Sequence, residues 1–73
     1  MANFTYEIVE HIATLSTRGT WALELNRVSW GGRAPTYDLR KWSDGHEKMS
    51  KGISLNEEEL VALRDALNAF SAE

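Results

Sequence analysis

Residue types able to do chemistry are concentrated between Asn26 and Trp42. There NRVSWGGRAPTYDLRKW sets Arg27, Arg33, Arg40 and Lys41 among Trp30, Tyr37 and Trp42. Flat rings beside cations suit a ligand that is itself flat and anionic. Unpaired nucleotides fit that description. Bases stack on aromatic rings for about 1–3 kcal/mol each with little regard to identity, and Lys or Arg follow the phosphates. A duplex fits worse, because no basic helix or ribbon is present to enter a major groove.

Other combinations carry less. His11 and His46 stand far apart in the chain with no second ligand at helical or hairpin spacing, so no metal-site pattern arises. Ser43, Asp44 and His46 are the residue types of a hydrolase triad. They crowd one turn, however, where nucleophile, base and orienting acid rarely face one another. Gly31 and Gly32 follow a strand but lead into no helix, which excludes a phosphate loop and a dinucleotide fingerprint. The absence of cysteine removes thiol nucleophiles, thiolate metal sites and disulfides. The expectation is a non-enzyme with no cofactor, no metal and no small-molecule substrate.

Size and charge narrow the reading. The 73 residues make one domain, spanning residues 1–73. A chain of this length buries only about 60% of its unfolded surface, so it must pack well or borrow core from a partner. A homodimer is therefore expected. No apolar run is long enough to cross a membrane, and MANFTYEIVEH lacks a signal-peptide pattern. A cytoplasmic protein follows, nucleoid-associated if DNA is its ligand. The net charge is -3, yet residues 18–51 hold seven basic against four acidic side chains, a local +3. A basic middle in an acidic chain suits a polyanion. The blander account is that strands keep arginine for solubility while a helix start collects acids.

The elements that must position these residues can be read in order. FTYEIVEHIATL, residues 4–15, is β-branched and aromatic and predicts a strand, with a reversal in STRGT around Gly19. A second strand runs from Trp21 to Trp30. Leu23 and Leu25 share one parity, Val28 and Trp30 the other, and a bulge near Asn26 and Arg27 would explain the change. After the loop GGRAP, residues 36–43 alternate: Tyr37 and Leu39 are expected inward, Arg40 and Trp42 on the opposite, open face. DGHE predicts a turn, and Lys48 to Ile53 a short fourth strand. Asn56 and Glu59 form a capping-box pattern, and Glu57, Glu58 and Glu59 sit where the helix dipole favours acids. Leu60, Leu63, Leu67 and Phe70 make one helical stripe, widened by Val61 and Ala66. Trp21, beside the inward leucines, reads as packing. The fold class is α+β: a four-stranded antiparallel sheet followed by one C-terminal helix.

One run is more specific than any of these patterns. KGISLNEEELVALRDAL, Lys51 to Leu67, resembles the C-terminal domain of the transcriptional coactivator family called positive cofactor four, in which Lys-Gly-Ile-Ser-Leu-Asn leads directly into the helix. Asp38-Leu39-Arg40 followed by Trp42 looks like that family's third strand. ELNRVSWGG, P-x-Y-D-L-R-K-W-S and HEKMSKGIS are similar to its short bacterial YdbC-like branch. The resemblance covers residues 21–70 firmly and the first strand loosely. It implies a homodimer joined through the helices, with open sheets that bind single-stranded DNA with little sequence preference. By position it implies DNA contacts at Arg40, Lys51, Trp42, Trp30 and Lys48, while Asn26 and Arg27 are added from the residue pattern and the bacterial branch. Glu57 stands where eukaryotic members usually carry proline, so binding rather than coactivation is the implied activity. The alternatives are an RNA-preferring binder and a protein-interaction module acting as a transcription cofactor.

Overall fold

The computed structural model describes residues 5–70. The expected start of the first strand at Phe4 lies outside the described residues. Four strands form one antiparallel sheet in the order β1-β2-β3-β4: β1 Tyr6–Arg18, β2 Trp21–Trp30, β3 Thr36–Ser43 and β4 Ile53–Leu55. A one-turn 3-10 segment, Asp44–His46, follows β3, and α1, Glu57–Ala69, closes the chain. Pairing of Arg18 with Trp21 leaves a two-residue loop. Gly19 occupies its first position at φ +61°, where any side chain would be strained.

β1 is three residues longer than the strand it pairs with, 13 against 10. The excess is absorbed in three register shifts, between Ile8 and Glu10, His11 and Ala13, and Thr14 and Ser16. Each shift leaves one apolar residue without a partner on β2: Val9, Ile12 and Leu15, all exposed. The bulge expected on β2 is therefore on β1 instead. β2 pairs with β3 without interruption from Trp21↔Ser43 to Val28↔Thr36. Its buried residues, Glu24, Asn26 and Val28, share one parity. What changes along β2 is polarity rather than side-chain direction, because two of its inward residues are polar.

The face expected to be open is the better buried one. Trp42 and Val28 are the buried apolar residues of the described chain, and both lie on the parity of Arg40. Leu25, Leu39 and Ile53 line up on the other face, where Ile53 is exposed. The helix does not seal them. It begins as expected, with Asn56 accepting from the Glu59 amide and Glu59 reaching back to the Asn56 amide. It touches β3 and β4 only lightly and buries none of its residues; Leu67 is 60% exposed and Phe70 64%. Among the described residues no helix is long and apolar enough to cross a membrane.

The fourth strand is shorter and later than the expected Lys48–Ile53. Between β3 and β4 serine hydroxyls replace part of the ladder: Ser43 accepts from the Lys48 amide and Ser50 from the Lys41 amide. The chain then runs close beside β3 at Gly52. A Cβ there would collide with Arg40 Cβ and lie 2.6 Å from the Leu39 carbonyl oxygen. Overpacking of this kind costs about 1–3 kcal/mol. Gly52→Ala should lower the melting temperature by several degrees, since about 1 kcal/mol corresponds to about 4–8 °C in a domain of this size. Thermal unfolding followed by circular dichroism checks this, and an unchanged midpoint contradicts it.

Candidate nucleic-acid interface

The site is built on the even-numbered face of β2 and β3, because strand side chains alternate and the β2–β3 register is unbroken. Asp38 and Arg40, two residues apart, share that face. Arg40 Nε and Nη2 donate to the two carboxylate oxygens of Asp38 at 2.6 and 2.7 Å. Asp38 is fully buried and Arg40's side chain 14% exposed, so this fork-to-fork pair neutralises a charge that water cannot reach. Ser54 Oγ donates to the same carboxylate, and Arg40 Nη1 donates to the Ser50 carbonyl.

Held in this way, the guanidinium carbon stands 4.6 Å from the centre of the Trp30 ring, within cation–π range. Tyr6, opposite Trp30 across the β1–β2 ladder, lies 5.6 Å from Trp30 and 5.4 Å from Trp42. His46 meets the edge of Trp42 at 5.2 Å. A continuous row thus runs Arg40, Trp30, Tyr6, Trp42, His46.

A polar network extends the row. His46 Nε2 lies 3.0 Å from Glu24 Oε1, which also accepts from Asn26 Nδ2 at 3.0 Å. Asn26 Oδ1 is 2.7 Å from His11 Nδ1, so that nitrogen carries the proton, and Thr14 bonds the other ring nitrogen. His46 sits at φ +59°, a left-handed conformation retained where surrounding contacts demand it. Burial pushes the Glu24 carboxyl up. The hydrogen bonds from His46 and Asn26 and the charge of both imidazoles outweigh that effect and leave it below its ordinary value.

The structure places the expected contact residues unequally. Trp30 and Arg40 come together as expected. Trp42 shares their face but is 1% exposed beneath Tyr6 and His46, so its ring offers no stacking surface in this conformation. Asn26 is fully buried, with its amide spent on Glu24 and His11. Arg27 has the odd parity and stands on the opposite face, paired with Glu10 at 3.4 Å. Lys48 and Lys51 are exposed and make no ion pair among the described residues.

Tyr6, Glu24, Asp38 and the two histidines were missed. The i, i+2 spacing of Asp38 with Arg40 and of Glu24 with Asn26 was a readable signal. The meeting of His11 and His46 at one carboxylate was not. Among the described residues no group of His, Cys, Asp and Glu is arranged to hold a metal ion.

An open antiparallel sheet with an aromatic–guanidinium row, followed by one capped helix, defines an open-faced α+β domain. The chain belongs to the Transcriptional Coactivator p15 (PC4) family, whose model matches residues 18–66. It is 49% identical over 72 residues to an uncharacterized protein of Treponema pallidum (strain Nichols), covering 97% of this chain and 85% of that one. A bacterial relative agrees with the bacterial branch the sequence resembles, and it spans β1, most of which precedes the family match. The family is known for single-stranded DNA binding and coactivator roles rather than for catalysis.

The depressed Glu24 carboxyl carries a pH consequence. A carboxylate lowered by folding contributes stability above its unfolded value, about 4.3, and loses it as pH falls through the folded value. Denaturant midpoints measured from neutral pH downward should therefore fall below about pH 4. Glu24→Gln should be less stable at neutral pH and show a flatter acid limb. Parallel acid limbs for the two proteins contradict the assignment.

Proposed function

We propose that this protein binds single-stranded DNA with little sequence preference through the Trp30 face of its sheet. The observation that carries this reading is the Arg40 guanidinium, fixed by Asp38 against the ring of Trp30. Because Arg40 is already matched to a carboxylate, its work is to orient Trp30 and keep that side of the ring electropositive. Base stacking falls to the half-buried Trp30 and Tyr6, and the phosphates fall to exposed Lys48 and Lys51. Trp42, Asn26 and Glu24 support the row from beneath. RNA offers the same bases and phosphates, and only the 2′-hydroxyl separates the two ligands. A role in transcription, repair or replication follows from binding exposed single strands.

A second copy of the chain is the partner we propose for the uncovered helix stripe. Val61, Leu63, Leu67 and Phe70 are exposed, as is Ile53, and grouped exposed apolar side chains mark interaction surfaces.

Titration with oligothymidine should quench tryptophan fluorescence, and Trp30→Ala should weaken binding about tenfold, or about 1.4 kcal/mol. Lys51→Ala should lower the slope of log affinity against log salt by about 0.7, the share of one phosphate. Saturating oligonucleotide that leaves the fluorescence and the Arg40 resonances unmoved contradicts the proposal. For the apolar face, sedimentation should show a dimer at micromolar concentration that Leu67→Glu converts to monomer. A stable wild-type monomer overturns that part.

A further inference from the structure

Trp21 reads as packing in the sequence, yet it is only half-buried and borders a hollow of about 720 Å³ at the mouth of the β1–β2 hairpin. Pairing of Arg18 with Trp21, Ser16 with Leu23 and Leu23 with Lys41 puts these residues side by side across three strands. Trp21, Leu23 and Lys41 have the odd parity, and the shifted register of β1 sets Arg18 and Ser16 directly opposite Trp21 and Leu23, so the hollow lies on the face of the sheet opposite Trp30 and Arg40. Ser50, hydrogen-bonded to the Lys41 backbone, closes its far side.

The chemistry of the wall is one-sided. Two cations, an indole, a leucine and serine hydroxyls line it, and no carboxylate does. Arg18 and Lys41 make no ion pair among the described residues, whereas Arg27, Arg40 and Arg64 each face an acid. Trp21 also borders an adjoining hollow, where Asp44 and Glu47 stand with Lys48. Of the two hollows that Trp21 borders, the one with Arg18 and Lys41 and no carboxylate is the one that suits an anion. The volume falls within the range of small-ligand clefts.

We propose that this hollow is a second single-strand subsite, holding one nucleotide with its base on Trp21 and its phosphate between Arg18 and Lys41. It rests on the function proposed above: a strand leaving the Trp30 face turns over the end of the sheet and is gripped again on the other side. A long strand then engages both subsites and a short one only the first. The subsite extends the footprint and the salt dependence without adding sequence preference.

The full chain labelled with 5-fluorotryptophan separates the two claims, each resonance being assigned by a Trp→Phe variant. With long oligothymidine, the Trp21 and Trp30 resonances should both move; with a short one, Trp30 should move first. Trp21→Ala should weaken the long oligonucleotide about tenfold and the short one little. Arg18→Ala with Lys41→Ala should lower the salt slope for the long strand by about 1.4, two phosphates' worth. These arginine and lysine side chains are exposed, so the double variant should fold. Movement of Trp30 with Trp21 unmoved overturns the subsite and leaves the function standing. No movement at either ring overturns both. Sedimentation of Trp21→Ala as a smaller species, with long-strand affinity unchanged, assigns the hollow to contact between copies and overturns the subsite.

Discussion

A carboxylate with no exposed surface is tolerable only where a cation meets it in good geometry, and Asp38 imposes that condition on everything around it. Arg40 answers it from two residues along the same strand. The guanidinium so fixed lies against Trp30, and Trp30 in turn lies against Tyr6. One ion pair thereby sets the direction of the aromatic row. It also reaches into the backbone, because Arg40 and the Leu39 carbonyl occupy the space a Cβ at residue 52 would need. Only glycine lets the chain lie that close, pair Ile53 with Leu39 and deliver Asn56 to the start of the helix.

The second constraint is the mismatch between β1 and β2. Three bulges at three-residue intervals raise the local twist and leave Val9, Ile12 and Leu15 outside the ladder. Meanwhile the most buried side chains of the described chain include Asn26, Asp38 and Glu24 beside Val28 and Trp42. A single chain therefore hides much polar surface and leaves apolar helix surface wet, the reverse of a self-sufficient small core. Burial is worth about 25 cal/mol per Å² of apolar area, so the gain still available lies on the helix and on the leucine face. That imbalance is the physical support for the proposed pairing of two copies.

Much of the fold was legible before any coordinates. The four strands and the helix declared themselves through periodicity, Gly19 marked the hairpin, and Asn56 with Glu59 marked the helix start. The nearness of Arg40 to an aromatic ring was legible too, as was its side of β3. The misreadings share one trait, dependence on contacts between residues remote in the chain. Leucine-rich alternation was taken to mark the inward face, whereas the better buried face is the one that satisfies Asp38, Glu24 and Asn26. Trp42 looked available because burial beneath Tyr6 and His46 depends on residues remote in the chain. Arg27 looked like a ligand contact because it stands in the basic, aromatic run, whereas its pairing with Glu10 depends on the register of β1.

By itself the sequence determined element type, the hairpin, the helix cap and the family, since these follow from rules acting over a few neighbouring residues. Only the tertiary structure decided which face is buried, which cations are already matched to acids, and that His11 and His46 meet at Glu24. Those outcomes depend on strand register, where one extra residue in β1 shifts every later partner, and no local pattern records which strand carries the excess.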